Sequence, residues 1–135
     1  MNELNSWKTS FETTRQELEL AERKRQALDE LLAKHRMSQP TYEHLASSLR
    51  ETISDLQAHQ RTVAEKMTKR ANELEKQAEI IKLFLANLEM QNIAKKLDDE
   101  TYTRHRQTFT LGLEATEAEL SGIRNSLAKI PQKPV

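Results

Sequence analysis

Residues 41–90, TYEHLASSLRETISDLQAHQRTVAEKMTKRANELEKQAEIIKLFLANLEM, contain no glycine and no proline. Their inward positions fall at Tyr42, Ala46, Leu49, Ile53, Leu56, Gln60, Val63, Met67, Arg70, Leu74, Gln77, Ile81, Phe84 and Leu88. These recur at alternating steps of four and three, the spacing that keeps one helix face against a neighbour. The register never slips, so the stretch reads as one long helix, roughly 80 Å from end to end at 1.5 Å per residue.

Shorter seams flank it. The first runs through Trp7, Phe11, Thr14, Leu18, Ala21, Arg25, Leu28, Leu32 and His35. The last runs through Tyr102, Arg106, Phe109, Leu113, Thr116, Leu120, Ile123, Leu127 and Ile130, and stops at Pro131, which cannot continue a helix. The expected elements are helices over about 5–37, 39–95 and 98–130, in one coiled-coil domain over 1–130 with a tail at 131–135. The fold class is all-α: a short-long-short antiparallel coiled coil, two helical hairpins end to end.

The two breaks are chemically alike. Residues 36–42, RMSQPTY, and 96–102, KLDDETY, align at an offset of 60. In each, Ser38 or Asp98 can cap the new helix, Met37 or Leu97 precedes the cap, and Tyr42 or Tyr102 falls where a hydrophobic staple closes. Pro40 fits a first turn, where a missing N–H is not needed. Corners this short make the flanking helices antiparallel neighbours. The resulting rod sets Leu32 near Ala46, Leu28 near Leu49, Phe11 near Met67 and Trp7 near Arg70. In the second hairpin it sets Leu85 near Phe109, Ile81 near Leu113 and Gln77 near Thr116.

Composition agrees with few, long elements. Of the 135 residues 36% are hydrophobic and 31% charged, with only two glycines and three prolines. Twenty-one basic side chains balance twenty-one acidic ones, so no global field draws the chain to nucleic acid or an anionic membrane. Cysteine is absent, which removes disulfides, thiol nucleophiles and thiolate metal sites. The start MNELNSWKTS has no signal-peptide core, and the most apolar stretch, residues 80–90, is interrupted by Lys82, Asn87 and Glu89. That falls far short of the roughly 20 apolar residues of a spanning helix, so a cytoplasmic protein is expected.

Two packed helices bury only one stripe each, which argues for a partner surface. Ile80, Leu83, Leu85, Ile93 and Leu111 make the second half apolar on more than one face. Self-association into a four-helix bundle, as a homodimer or higher homo-oligomer, accounts for them. A broader hairpin core is the competing account. Gly112 and Ala115 are small enough for close helix approach on that side.

Signs of catalysis are lacking. His35, His44, His59 and His105 have no neighbours at ligand spacing, and there is no glycine-rich phosphate loop or nucleophile elbow. The expectation is a non-enzyme with no cofactor, no metal and no small-molecule substrate. Basic clusters at Arg23, Lys24 and Arg25, and at Lys66, Lys69 and Arg70, lie among acidic residues. They read first as solvated helix faces, and otherwise as phosphate contacts for weak, salt-sensitive DNA binding.

The segment AERKRQALDELLAKHRMSQPTYEHL, residues 21–45, resembles the central coiled-coil region of CdvA, an archaeal cell-division family that works with ESCRT-III-like partners. The similarity rests on the Trp7-to-Arg25 spacing, the basic run before Ala27 and Leu28, and the corner from Met37 to Tyr42. It continues more loosely to LDDETYTRH, residues 97–105. The resemblance implies a filament-forming scaffold at the division site, on the inner face of the membrane. It also implies an ESCRT-III-like partner and association with membrane or DNA. Family members carry a β-barrel domain before this region and an ESCRT-III-binding peptide after it, so the chain is read as the central part or as a shorter relative. The alternative is a coiled-coil adaptor or weak, nonspecific DNA-coating protein outside cell division.

Overall fold

A computed structural model describes residues 3–129, with side chains described from Ser6 onward. It contains α1 (Glu3–Ala33), α2 (Gln39–Ile93) and α3 (Asp99–Ala128), and no strand among the described residues. The protein is an all-α coiled coil of three helices in short-long-short order. Two compact units divide it: unit 1, Met1–Lys66, pairs α1 with the first part of α2, and unit 2, Met67–Val135, pairs the rest of α2 with α3.

Each unit turns its corner in the same way. In unit 1 the Arg36 N–H bonds the Leu31 carbonyl and the His35 N–H bonds the Leu32 carbonyl, with His35 at φ 57°. In unit 2 Lys96 bonds Gln91 and Lys95 bonds Asn92, with Lys95 at φ 59°. Both are Schellman closures, in which a left-handed residue returns two N–H groups to the last free carbonyls. The next helix then starts on a cap: the Thr41 N–H donates to Ser38 Oγ at 3.3 Å, and the Thr101 N–H to Asp98 Oδ1 at 3.2 Å. A tyrosine ties the corner back to the preceding helix: Tyr42 Oη donates to Asp29 Oδ1 at 2.6 Å, and Tyr102 Oη to Glu89 Oε1 at 2.5 Å.

Every one of these pairs recurs sixty residues along, as do the ends Ala33 and Ile93 and the starts Gln39 and Asp99. Further from the corners, Ser10 Oγ lies 3.0 Å from His59 Nε2. At the equivalent positions Arg70 Nε donates to Glu119 Oε2 at 2.7 Å. The two units are therefore one hairpin plan written twice.

The Schellman closure ends α1 at Ala33, where the seam spacing had carried the helix to about 37. An earlier end tightens the turn and shortens the pairing register. Tyr42 bonded to Asp29 and Ser10 beside His59 replace the pairings that set Leu28 near Leu49 and Phe11 against Met67, the last displaced by more than two turns. In unit 2 Gln77 Nε2 donates to Thr116 Oγ1 at 2.8 Å, as expected of that pair.

Burial along α2 corrects its second seam. Ile53, Gln60, Val63 and Met67 are buried as read, but beyond Met67 the buried positions are Ala71, Leu74, Ala78 and Leu88, with Ile81 and Leu85 half-buried. Arg70 is half-buried, while Gln77 and Phe84 are exposed. The spacing from Met67 onward is that of α1 moved by sixty: Trp7, Phe11, Thr14, Leu18, Ala21, Arg25 and Leu28. Two successive steps of four, from Val63 to Met67 to Ala71, form a stutter in the heptad. Small alanines fill the seam that the larger Arg70, Gln77 and Phe84 flank.

Candidate self-association surface

Unit 2 leaves a group of large apolar side chains facing water. Ile80, Leu83, Ile93 and Leu111 are all exposed, from 51% at Ile80 to 79% at Ile93. Leu85, grouped with them on sequence grounds, is half-buried and belongs to the hairpin seam. Two further members are Phe84 and Met90, 49% and 62% exposed. An unbroken heptad through Met67 puts Phe84 in the seam, and the stutter turns it outward. Spacing could have found Met90, since Ile80, Leu83, Asn87 and Met90 continue at steps of three, four and three on one face of α2.

Several side-chain contacts surround this face. The Phe84 and Phe109 rings stack at 5.7 Å, tilted by 38°, and His105 stands 6.4 Å from Phe109. Glu89 accepts from Tyr102 and lies 3.5 Å from Arg106, while Lys82 lies 3.6 Å from Glu79. The hydrogen bond to Glu89 raises the Tyr102 pKa above the usual phenol value, as the one to Asp29 does for Tyr42. Deprotonation would set two negative oxygens together, so both ties are complete below about pH 10 and weaken as pH rises through the elevated value.

The basic candidates differ among themselves. Arg23, Lys24 and Arg25 are exposed on α1, with Arg23 Nε also 3.4 Å from the Glu19 carbonyl. Lys66 and Lys69 are exposed on α2. Arg70 is held by Glu119, at 2.7 Å, and lies 3.6 Å from Glu73; the bond to Glu119 raises its pKa further. Of the histidines, His59 meets Ser10, His35 sits at the first Schellman closure, and His44 is exposed. Among the described residues no three His, Asp or Glu side chains gather as a metal site, and no helix is long and apolar enough to cross a membrane.

The CdvA-like coiled-coil domain family matches residues 6–134, nearly the whole chain and both hairpins. The chain belongs to that family. No curated protein and no solved structure matches it. The twin corners thus lie within the CdvA-like domain, and the exposed stripe of unit 2 is part of the domain's own surface.

Proposed function

We propose that this CdvA-like domain is a structural, self-assembling scaffold of the archaeal ESCRT-III-type division machinery, acting without catalysis on the inner face of the membrane. The family match over residues 6–134 carries this reading. The exposed stripe of unit 2 supports it, because contiguous apolar side chains on a water-facing helix favour contact with another surface. Homo-oligomers come first as partners, then an ESCRT-III-like protein, with DNA or membrane following only from the family. A DNA-coating role has less support, since Arg70 is engaged by Glu119 within the hairpin.

The test is the solution mass of the purified chain, by light scattering coupled to sizing over a concentration series, beside the paired variant Ile80→Asp, Leu83→Asp. A dimer or larger species that the pair dissociates supports the scaffold. A monomer at every concentration removes it and leaves a hairpin protein that works through some other partner.

A further inference from the structure

The corners of the two hairpins match, but the seams between corner and far end differ layer by layer, always in the same direction. At the far end of unit 1 Ser10 and His59 share a single exposed hydrogen bond at 3.0 Å. Sixty residues along, Arg70 holds Glu119 through two partly buried bonds of 2.7 and 3.4 Å. One layer inward, unit 1 buries Thr14 and Gln60, where unit 2 buries Leu74 and Leu120. Gln60 Nε2 has no partner among the described residues. In the next layer Gln77 Nε2 donates to Thr116 Oγ1 in unit 2, while unit 1 has Glu17 and Leu56, and Leu56 has no polar atom to offer. Nearest the corner Phe84 stacks on Phe109, where unit 1 has Lys24 and Leu49. Glu17, Lys24, Leu49 and Leu56 instead line a hollow of about 570 Å³ between α1 and α2.

Magnitudes decide which of these differences count. Exposed ion pairs such as Arg106 with Glu89 contribute little and are set aside. A partly buried, two-point guanidinium–carboxylate pair outweighs a lone neutral hydrogen bond. A hollow forgoes the packing that two stacked rings supply. A buried donor without an acceptor subtracts from folding. In unit 1 these losses fall on consecutive layers of one interface. In unit 2 each of the same layers is filled or bonded.

We infer that α1 is a releasable strap: it leaves the first part of α2 while the hairpin of α2 and α3 stays closed, so the chain has a closed and a half-open state. Opening uncovers Ile53 and Val63 on α2 and leaves the Leu74, Leu120 and Ile123 core intact. The boundary between the compact units, at Lys66 and Met67, allows one seam to part without the other. Segments that move in switching proteins are drawn from seams of this low-stability kind. The inference concerns the seam inside each hairpin and is independent of self-assembly.

Hydrogen exchange read by mass spectrometry, at rising urea below the unfolding transition, tests it on the full chain. Because α2 is one uninterrupted helix, Gln39–Ile93, the half-open state predicts a step in protection inside it. Peptides from α1 and from residues 42–63 should exchange about tenfold faster than those from residues 71–90 and α3, after correction for intrinsic rates. The step should be the same at a tenfold higher protein concentration. Phe109→Leu, which gives unit 2 the residue that unit 1 has at Leu49, should speed exchange in unit 2 roughly fivefold and leave unit 1 unchanged. Even protection along α2 overturns the inference, as does a Phe109→Leu chain in which both hairpins speed up alike, since either means that the whole chain opens as one. A step present only at the higher concentration also overturns it, because an assembly covering unit 2 would then be its cause.

Discussion

Where unit 1 buries Thr14 and Gln60, unit 2, sixty residues along, buries Leu74 and Leu120. The backbone plan is the same around both. What the two hairpins share lies at their corners: the left-handed residue, the cap three positions later, and the tyrosine tied to a carboxylate. What differs lies along the seam and on the outward face. The corner therefore fixes the register of each hairpin, and the seam sets how stable that register is. Thr14 satisfies itself by donating to the Ser10 carbonyl at 2.8 Å, but the buried Gln60 Nε2 has no partner. A buried polar group left unpaired opposes folding, so Gln60 is a cost to unit 1 that Leu120 does not impose on unit 2.

The largest break in this comparison should come from Leu74, which is fully buried. Leu74→Ala is expected to destabilise the chain by about 2–5 kcal/mol, measured by urea unfolding followed by circular dichroism. Thr14→Ala at the equivalent place should cost much less. Next in size, Gln60→Leu gives unit 1 the residue that unit 2 has at Leu120, and it should stabilise by about 1–2 kcal/mol by removing the orphaned amide. A loss of stability would instead mean that the Gln60 amide finds an acceptor in solution.

Unit 2 holds both glycines, where unit 1 has Thr52 and Thr62. A Cβ added at Gly122 would meet nothing within 4 Å, and one at Gly112 would meet Ile81 Cδ1 at an ordinary 3.8 Å. Gly122→Ala and Gly112→Ala should therefore each raise stability by about 1 kcal/mol through helix propensity, read as a shift in the urea midpoint. Neither glycine is required for close packing within its hairpin. A loss at Gly112 alone would point to close approach by a second copy.

The smallest effect separates the corners by pH. Hydrogen bonds from Thr101 hold the Asp98 carboxyl below its ordinary value, whereas Ser38 does not titrate. A depressed carboxylate contributes stability above its unfolded value of about 3.9, and the contribution is lost as pH falls through the folded one. Between pH 6 and 2 the Thr101 amide resonance should titrate and the Thr41 amide should not. Equal movement of both would mean that the corners are opening together.

Much of this was legible in the sequence. The corners were, because caps and the tyrosine are local signals that repeat at a fixed offset. The first seam of α2 was, and that of α3 from Phe109 to Leu127, because large apolar residues mark them; Arg106 is exposed and Ile130 lies outside the described residues. The stutter after Met67 was not: Arg70, Gln77 and Phe84 continue the heptad on paper, while Ala71 and Ala78 give too weak an apolar signal to reveal the switch. The Schellman closures have no sequence signal, because His35 and Lys95 stand where glycine usually announces a left-handed turn. The hollow of unit 1 depends on the volume of Lys24 and Leu49 against Phe84 and Phe109, which becomes visible only once the two copies are aligned.

The claim that one hairpin plan is used twice in the same register is open to direct test, since the chain has no cysteine to remove. Cysteine pairs would be placed at Ser10 and His59 in one protein and at Arg70 and Glu119 in another, then treated with a short bismaleimide at low concentration. Fast intramolecular cross-linking of both pairs, at similar rates, is the predicted result. Cross-linking of the Arg70 and Glu119 positions alone would contradict it, and would mean that unit 1 does not keep the register of its copy.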